Sequence, residues 1–190
     1  MKRLFAAIKI NPDREFLEQV RKLKFTLQHE KIKWVEDHNI HITLKFFGDT
    51  EERLIPGISD VFRKIAMDTP SFSLFLKRLG VFGSTYDPRV VWVGIEPYQE
   101  LVVLMKNIQA ELKQLGFQPD RQNTVPHLTL GRIKMLHDKQ GFQKVVERFS
   151  GIESKEIVCD SFILYESILK KEGPVYKALG VFPLITEVKE

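Results

Sequence analysis

Two tetrapeptides of the 190-residue chain share one pattern, His41-Ile42-Thr43-Leu44 and His127-Leu128-Thr129-Leu130. In an extended strand, residues two apart share a face, so each motif presents one imidazole and one hydroxyl together. By the same alternation Ile42, Leu44 and Phe46 point into the core, as do Leu128 and Leu130. Breaking a phosphodiester needs one group to take a proton from the nucleophile and another to protonate the leaving oxygen, and histidine titrates where it can do either. Two threonine hydroxyls can donate hydrogen bonds to the non-bridging oxygens as charge builds on them, with no metal brought into the site. With five His in the chain, chance supplies about 0.02 copies of His-x-Thr-Leu, so a matched pair is a signal that one copy is not.

The elements that must position these motifs can be read from periodicity. Leu4, Ala6, Ile8 and Ile10 alternate with Arg3, Phe5, Ala7 and Lys9 and predict a first strand over 3 to 10. Asn11 is the expected N-cap of a helix with Pro12 at its first position, and Phe16, Val20, Leu23 and Leu27 follow at helical spacing. Residues 32–36 and 41–47 predict two strands joined by the polar turn Asp37-His38-Asn39. A second helix carries Leu54, Ile58, Val61, Phe62 and Ile65 despite Pro56. Two strands that should pair follow, one alternating through Phe72, Leu74 and Leu76 and one at 89–95. A third helix, opened by Pro97 and ended by Gly116, carries Leu101, Leu104, Ile108, Leu112 and Leu115. The second motif occupies a strand at 127–133, followed by a short helix with Phe142, Val145, Val146 and Phe149. Residues 157–168 and 175–184 read as two closing strands. In both halves a helix, then a polar connection, then a His-x-Thr-Leu strand recur, which predicts a duplicated α+β unit whose pseudo-twofold pairing aims both motifs into one groove.

Composition narrows the class. With 43% apolar residues, 28% charged residues and 14 Phe, the chain can bury a core and is neither disordered nor of low complexity. Lys9 interrupts the first apolar run too early for an export signal, and no 18 apolar residues run together, so a cytoplasmic protein without a membrane partner is expected. Cys159 is the single cysteine, which excludes an internal disulfide and a cysteine metal cluster. A net charge of +4 and a pI near 9.1 mildly favour a polyanionic partner.

Around the motifs, Arg132 could hold a phosphate in a bidentate fork, yet strict alternation puts it on the face opposite His127 unless a bulge at Gly131 turns it inward. Lys45 shares the face of His41 and Thr43 and could touch an RNA backbone or simply stand in solvent at the groove edge. Phe5 faces away from Leu4 and Ala6 and could stack on a base or fill a second core. Trp34 and Trp92 read as core; His29, His38 and His137 read as surface.

Taken with Arg3-Leu4-Phe5-Ala6-Ala7-Ile8, residues 39–48, 88–95, 126–132 and 176–184, the motifs make the chain resemble the 2H phosphoesterase superfamily. Within it, the chain resembles the bacterial and archaeal RNA 2′,3′-cyclic phosphodiesterases, also called 2′-5′ RNA ligases. The resemblance implies one bilobal α+β domain over 1–190, with two mainly antiparallel sheets facing a central groove and helices outside. It implies that His41 donates a proton to the leaving 3′ oxygen, that His127 is the base for water, and that Thr43 and Thr129 hold the phosphate. Arg132, Phe5 and Lys45 would be substrate-binding, with Ser167 and Tyr176 near the groove. RNA ends or cyclic nucleotides bearing a 2′,3′-cyclic phosphate would be the substrates of a monomer with no cofactor, and 2′-5′ ligation would be the reverse reaction. Two other readings stand beside this one. One is an RNA-end-binding module that keeps the groove without turnover. The other makes the two His metal ligands, although no carboxylate or thiolate lies near either at ligand spacing.

Overall fold

A computed structural model describes residues 1–119, 125–171 and 173–186. Nine strands and four α-helices follow in chain order. They are β1 (Lys2–Lys9), α1 (Arg14–Thr26), β2 (Lys31–Trp34), β3 (His41–Thr50), α2 (Ile55–Met67), β4 (Phe72–Gly83), β5 (Pro88–Glu96), α3 (Gln99–Leu112), β6 (His127–Met135), α4 (Lys139–Arg148), β7 (Ile157–Cys159), β8 (Ser161–Leu169) and β9 (Pro174–Pro183). The strands run in the order β7-β4-β5-β6-β3-β1-β8-β9, with β2 on the free stretch of β6.

That order is symmetric about its centre. The two motif strands β6 and β3 meet at one paired position, Ile42 with Leu128, and each then heads its own antiparallel sheet. One sheet is β3-β1-β8-β9, the other β6-β5-β4-β7 with β2. Neither sheet belongs to one half of the chain. The strand after the first motif, β4, pairs with β5 and β7 of the second half, and β8 of the second half pairs with β1 of the first, so each sheet takes strands from both halves. Helices cross in the same way: α3 packs on β3 and α2, while α1 is tied to the other lobe by Gln19 Nε2 donating to the Glu153 carbonyl.

The main core joins both lobes through Ile8, Phe16, Ile42, Phe62, Leu76, Val93, Leu104, Leu128 and Phe162. Helix α1 buries Phe16, Val20 and Leu23, as its spacing predicts, but its N-cap is Asp13 rather than Asn11. Asp13 Oδ1 accepts from the Phe16 amide at 3.1 Å and Oδ2 from the Lys155 amide at 2.7 Å, so this carboxylate also pins the helix to a distant loop. These amide donors outweigh its burial and hold its pKa below the usual carboxylate value.

Residues 37–39 form a 3-10 turn between two strands, as expected, and β2 then pairs with β6 while β3 pairs with β1. Two further expectations are corrected. Residues 157–168 are two strands in two sheets, broken at Asp160, whose carbonyl accepts from the Leu184 amide. The second contradicts alternation along the motif strands themselves. Opposite β1 the register slips between Ala6 and Ala7, which face Lys45 and Thr43, leaving Leu44 as an extra residue. Opposite β5 it slips between Val91 and Trp92, which face Gly131 and Thr129, leaving Leu130 extra. Each motif therefore ends in a β-bulge, and alternation changes phase beyond it.

Candidate active site

The bulges decide what accompanies each motif. On β3 the phase change sends Lys45 inward, where it is 3% exposed with Nζ donating to the Gln118 carbonyl at 2.7 Å, and turns Phe46 outward to 44% exposure. Both are opposite to the expected faces. On β6 the same slip turns Arg132 onto the face of His127 and Thr129. Gly131 makes room for it: a Cβ there would stand 2.8 Å from Trp34 Cε3 and 2.9 Å from Ile32 Cγ2. Counting from the two His, Gly131 corresponds to Lys45 and Arg132 to Phe46.

The Ile42–Leu128 pair fixes how the motifs meet. Antiparallel pairing extended one step on either side sets His41 across from Thr129 and Thr43 across from His127. Thr43, His127, Thr129 and Arg132 line a cleft of about 1010 Å³, together with Arg3 and Phe46 from the other lobe. The Arg3 guanidinium lies over the Phe46 ring, 5.3 Å from its centroid.

His41 is set back from the cleft wall. Its ring lies 5.1 Å from that of Phe5 and 5.4 Å, edge-on, from that of Tyr176. Phe5 is only 4% exposed, stacked on Tyr165 at 5.2 Å in a small second core with Ala7, so it supports His41 and offers no face to a base. In the other lobe Phe82 meets His127 edge-on at 4.7 Å and stacks on Trp92 at 4.8 Å. Trp92 was expected in the core, but it pairs with Thr129 and stands 6.3 Å from the His127 ring. The apolar alternation of Val91, Val93 and Ile95 already assigns Trp92 to the motif face. Phe82 and Arg3 had no comparable signal, since their approach depends on strand pairing.

Both imidazoles are oriented identically. His41 Nδ1 lies 2.6 Å from the Asn39 carbonyl and His127 Nδ1 lies 2.9 Å from the Val125 carbonyl, each two residues upstream. A carbonyl only accepts, so each Nδ1 carries hydrogen and each neutral ring keeps its lone pair on Nε2. Asn39 is itself anchored by Nδ2 donating to the Pro174 carbonyl. Burial pushes both imidazole pKa values below the ordinary value; the carbonyl bond opposes this, and the charge of Arg132 adds to it at both rings. Burial raises the Tyr176 phenol, and Arg132 opposes that shift. One guanidinium therefore acts electrostatically on both His and on Tyr176. Cys159 is buried and its thiol is pushed up to about 12, which leaves it protonated. Ser167 pairs with Tyr176 across β8 and β9. Among the described residues, no three His, Cys, Asp or Glu side chains gather as a metal-ligand set.

Two motif strands related by a local twofold, with Thr43, His127 and Thr129 lining a cationic cleft and His41 set behind its wall, define the class as a two-histidine phosphoesterase-type α+β protein. The profile of the 2′-5′ RNA ligase superfamily matches residues 12–168, and the chain belongs to that superfamily. It is 34% identical over 182 residues to the RNA 2′,3′-cyclic phosphodiesterase of Thermotoga maritima, covering 93% of this chain and 92% of the relative. It is 32% identical over 177 residues to the protein of that name from Methanocaldococcus jannaschii, covering 93% and 98%. Among solved structures, TT0787 of Thermus thermophilus superposes with a TM-score of 0.78 at 25% identity, covering 97% of this chain and 99% of that one. Escherichia coli LigT shares the fold, with a TM-score of 0.70.

Proposed function

We propose that this protein is an RNA 2′,3′-cyclic phosphodiesterase that opens the terminal cyclic phosphate to a 2′-phosphomonoester, using its own side chains and no metal. The observation that carries this reading is the pair of Nδ1-anchored imidazoles with Nε2 left as the working atom.

His127, the more open of the two, takes a proton from water on Nε2 as the water oxygen bonds to phosphorus. The P–O3′ bond breaks, and His41 Nε2–H gives its proton to O3′. His41 must enter as an imidazolium. Its shorter Nδ1 contact, 2.6 Å against 2.9 Å, favours the cation there, and the arriving phosphodiester anion offsets burial and the Arg132 charge. Thr43 and Thr129 donate to the non-bridging oxygens, and Arg132 neutralises the charge that builds on them. Water and solvent exchange restore both rings. With an RNA 5′-hydroxyl in place of water as the nucleophile, the same groups would form the P–O5′ bond as P–O3′ breaks and so join ends through a 2′-5′ linkage. Lys45 and Phe5 take supporting places in this scheme, the first beneath the bulge and the second behind His41.

Because one chain supplies both His, no second copy is required, and we assign a monomeric, bilobal domain. No described helix is long and apolar enough to cross a membrane; a cytoplasmic location is part of the proposal, as the site of RNA ends. The test is an oligoribonucleotide ending in a 2′,3′-cyclic phosphate, incubated in excess EDTA. A 2′-phosphate product is expected. Retained binding with no turnover would instead favour an RNA-end-binding module, and turnover that EDTA abolishes would reinstate a metal.

A further inference from the structure

The groove does not end at the motifs. Along β6 a second concavity of about 710 Å³ shares Arg89, Val90 and Arg132 with the first and adds Lys134 and Lys139. On its other side β6 is flanked by β2, where the register sets Lys33 directly opposite Arg132. Ile32, Trp34 and Ile133 pack against the core, so Lys33, Arg132 and Lys134 share the outer face, and all three are exposed.

Like charges directly opposed across a sheet cost stability. Elsewhere the protein compensates its cations locally: Arg14 with Glu18, Arg53 with Glu51, Arg63 with Asp60 and Arg78 with Glu96. Even at this edge Arg89 is held by Asp87, and Lys139 Nζ donates to the Tyr86 carbonyl. Among the described residues no carboxylate pairs with Lys33, Arg132 or Lys134. On the other lobe the positions matching Arg132 and Lys134 are Phe46 and Gly48, so the uncompensated row leads away from the site on one side only.

We propose that this row on β6 and β2 is a track for the sugar-phosphate backbone of single-stranded RNA. The idea rests on reading the groove as an RNA-end site. A cyclic phosphate occupies the 3′ terminus, so every further phosphate of the substrate lies on its 5′ side. A strand whose last phosphate sits between the motifs meets a row of three cations on its way past Arg132 toward Lys33 and Lys134, against the single Arg3 on the other lobe. Those two residues then recognise substrate length, whereas the motif residues recognise the end.

Kinetics of the K33Q/K134Q double variant test this, with a 2′,3′-cyclic mononucleotide and a cyclic-ended oligoribonucleotide as substrates at 50 and 200 mM salt. Each phosphate contact to a single strand contributes a slope of about 0.7 to the dependence of log affinity on log salt. Two contacts make the oligonucleotide KM of the wild type rise about sevenfold more than that of the variant across this range. Mononucleotide KM and kcat should be unchanged. Fluorescence anisotropy of a labelled oligoribonucleotide ending in a 3′-phosphate supplies the same slopes without turnover. Binding with these slopes in a protein that hydrolyses neither substrate would sink the catalytic reading and leave the track standing. Equal salt slopes for variant and wild type, or a loss shared by the mononucleotide, would overturn the track.

Discussion

Strands β3 and β6 carry the same His-x-Thr-Leu residues, anchor each His through Nδ1 to a carbonyl two residues upstream, and bulge at the same place, yet they deliver different surroundings. On β3 the bulge buries Lys45 and exposes Phe46, and the imidazole is closed in by Phe5 and Tyr176. On β6 the bulge needs Gly131 and exposes Arg132, and the imidazole lines the cleft. A duplicated backbone device thus fixes where side chains point, while the residues placed on it divide the work. One lobe is apolar and enclosed, which shields the leaving group from water, and its imidazole relies on the Asn39 carbonyl and the arriving phosphate anion to hold a proton against burial. The other is cationic and open, suited to water and phosphate.

The largest expected effect comes from removing either imidazole. His41→Ala and His127→Ala should each lower kcat by about 10²- to 10⁴-fold, the range of general acid–base catalysis, with KM little changed. If only one of them matters, the equivalence of the lobes is broken. Next is Arg132→Gln. Its charge lowers both imidazole pKa values, so its loss should shift both limbs of the pH–rate profile to higher pH and reduce kcat/KM. A shift of one limb alone would mean that the guanidinium serves one lobe.

Smaller and mainly structural effects should separate the lobes further. Phe5→Ala removes a buried ring from the His41 cluster and should cost about 3–5 kcal/mol in denaturant unfolding. Gly131→Ala forces a Cβ against Trp34 and should cost about 1–3 kcal/mol. If it also misdirects Arg132, kcat/KM should fall beyond what the loss of folded protein explains, which an activity assay on the folded fraction reads directly.

Much of this site could be read in the sequence because period-two alternation is local: Thr43 must share the side of His41, and Thr129 that of His127. Alternation alone misplaces Arg132, Lys45 and Phe46, because a bulge is a property of two paired strands; on β6 Gly131 hints at one, whereas nothing on β3 does. The same reason explains β2, whose pairing with β6 rather than β3 is a nonlocal choice, and the split at Asp160, where a continuous apolar pattern serves two sheets. Phe5 showed its parity but not its depth, since the rings of Tyr165 and Tyr176 that bury it arrive from the far end of the chain.

The division of labour is tested most directly by a cyclic-ended oligoribonucleotide whose 3′ bridging oxygen is replaced by sulfur. A thiolate leaves without a proton, so the account predicts that this substrate restores turnover to His41→Ala and leaves His127→Ala inactive. Rescue of His127→Ala, or of neither variant, would contradict the assignment of acid and base to the enclosed and the open lobe.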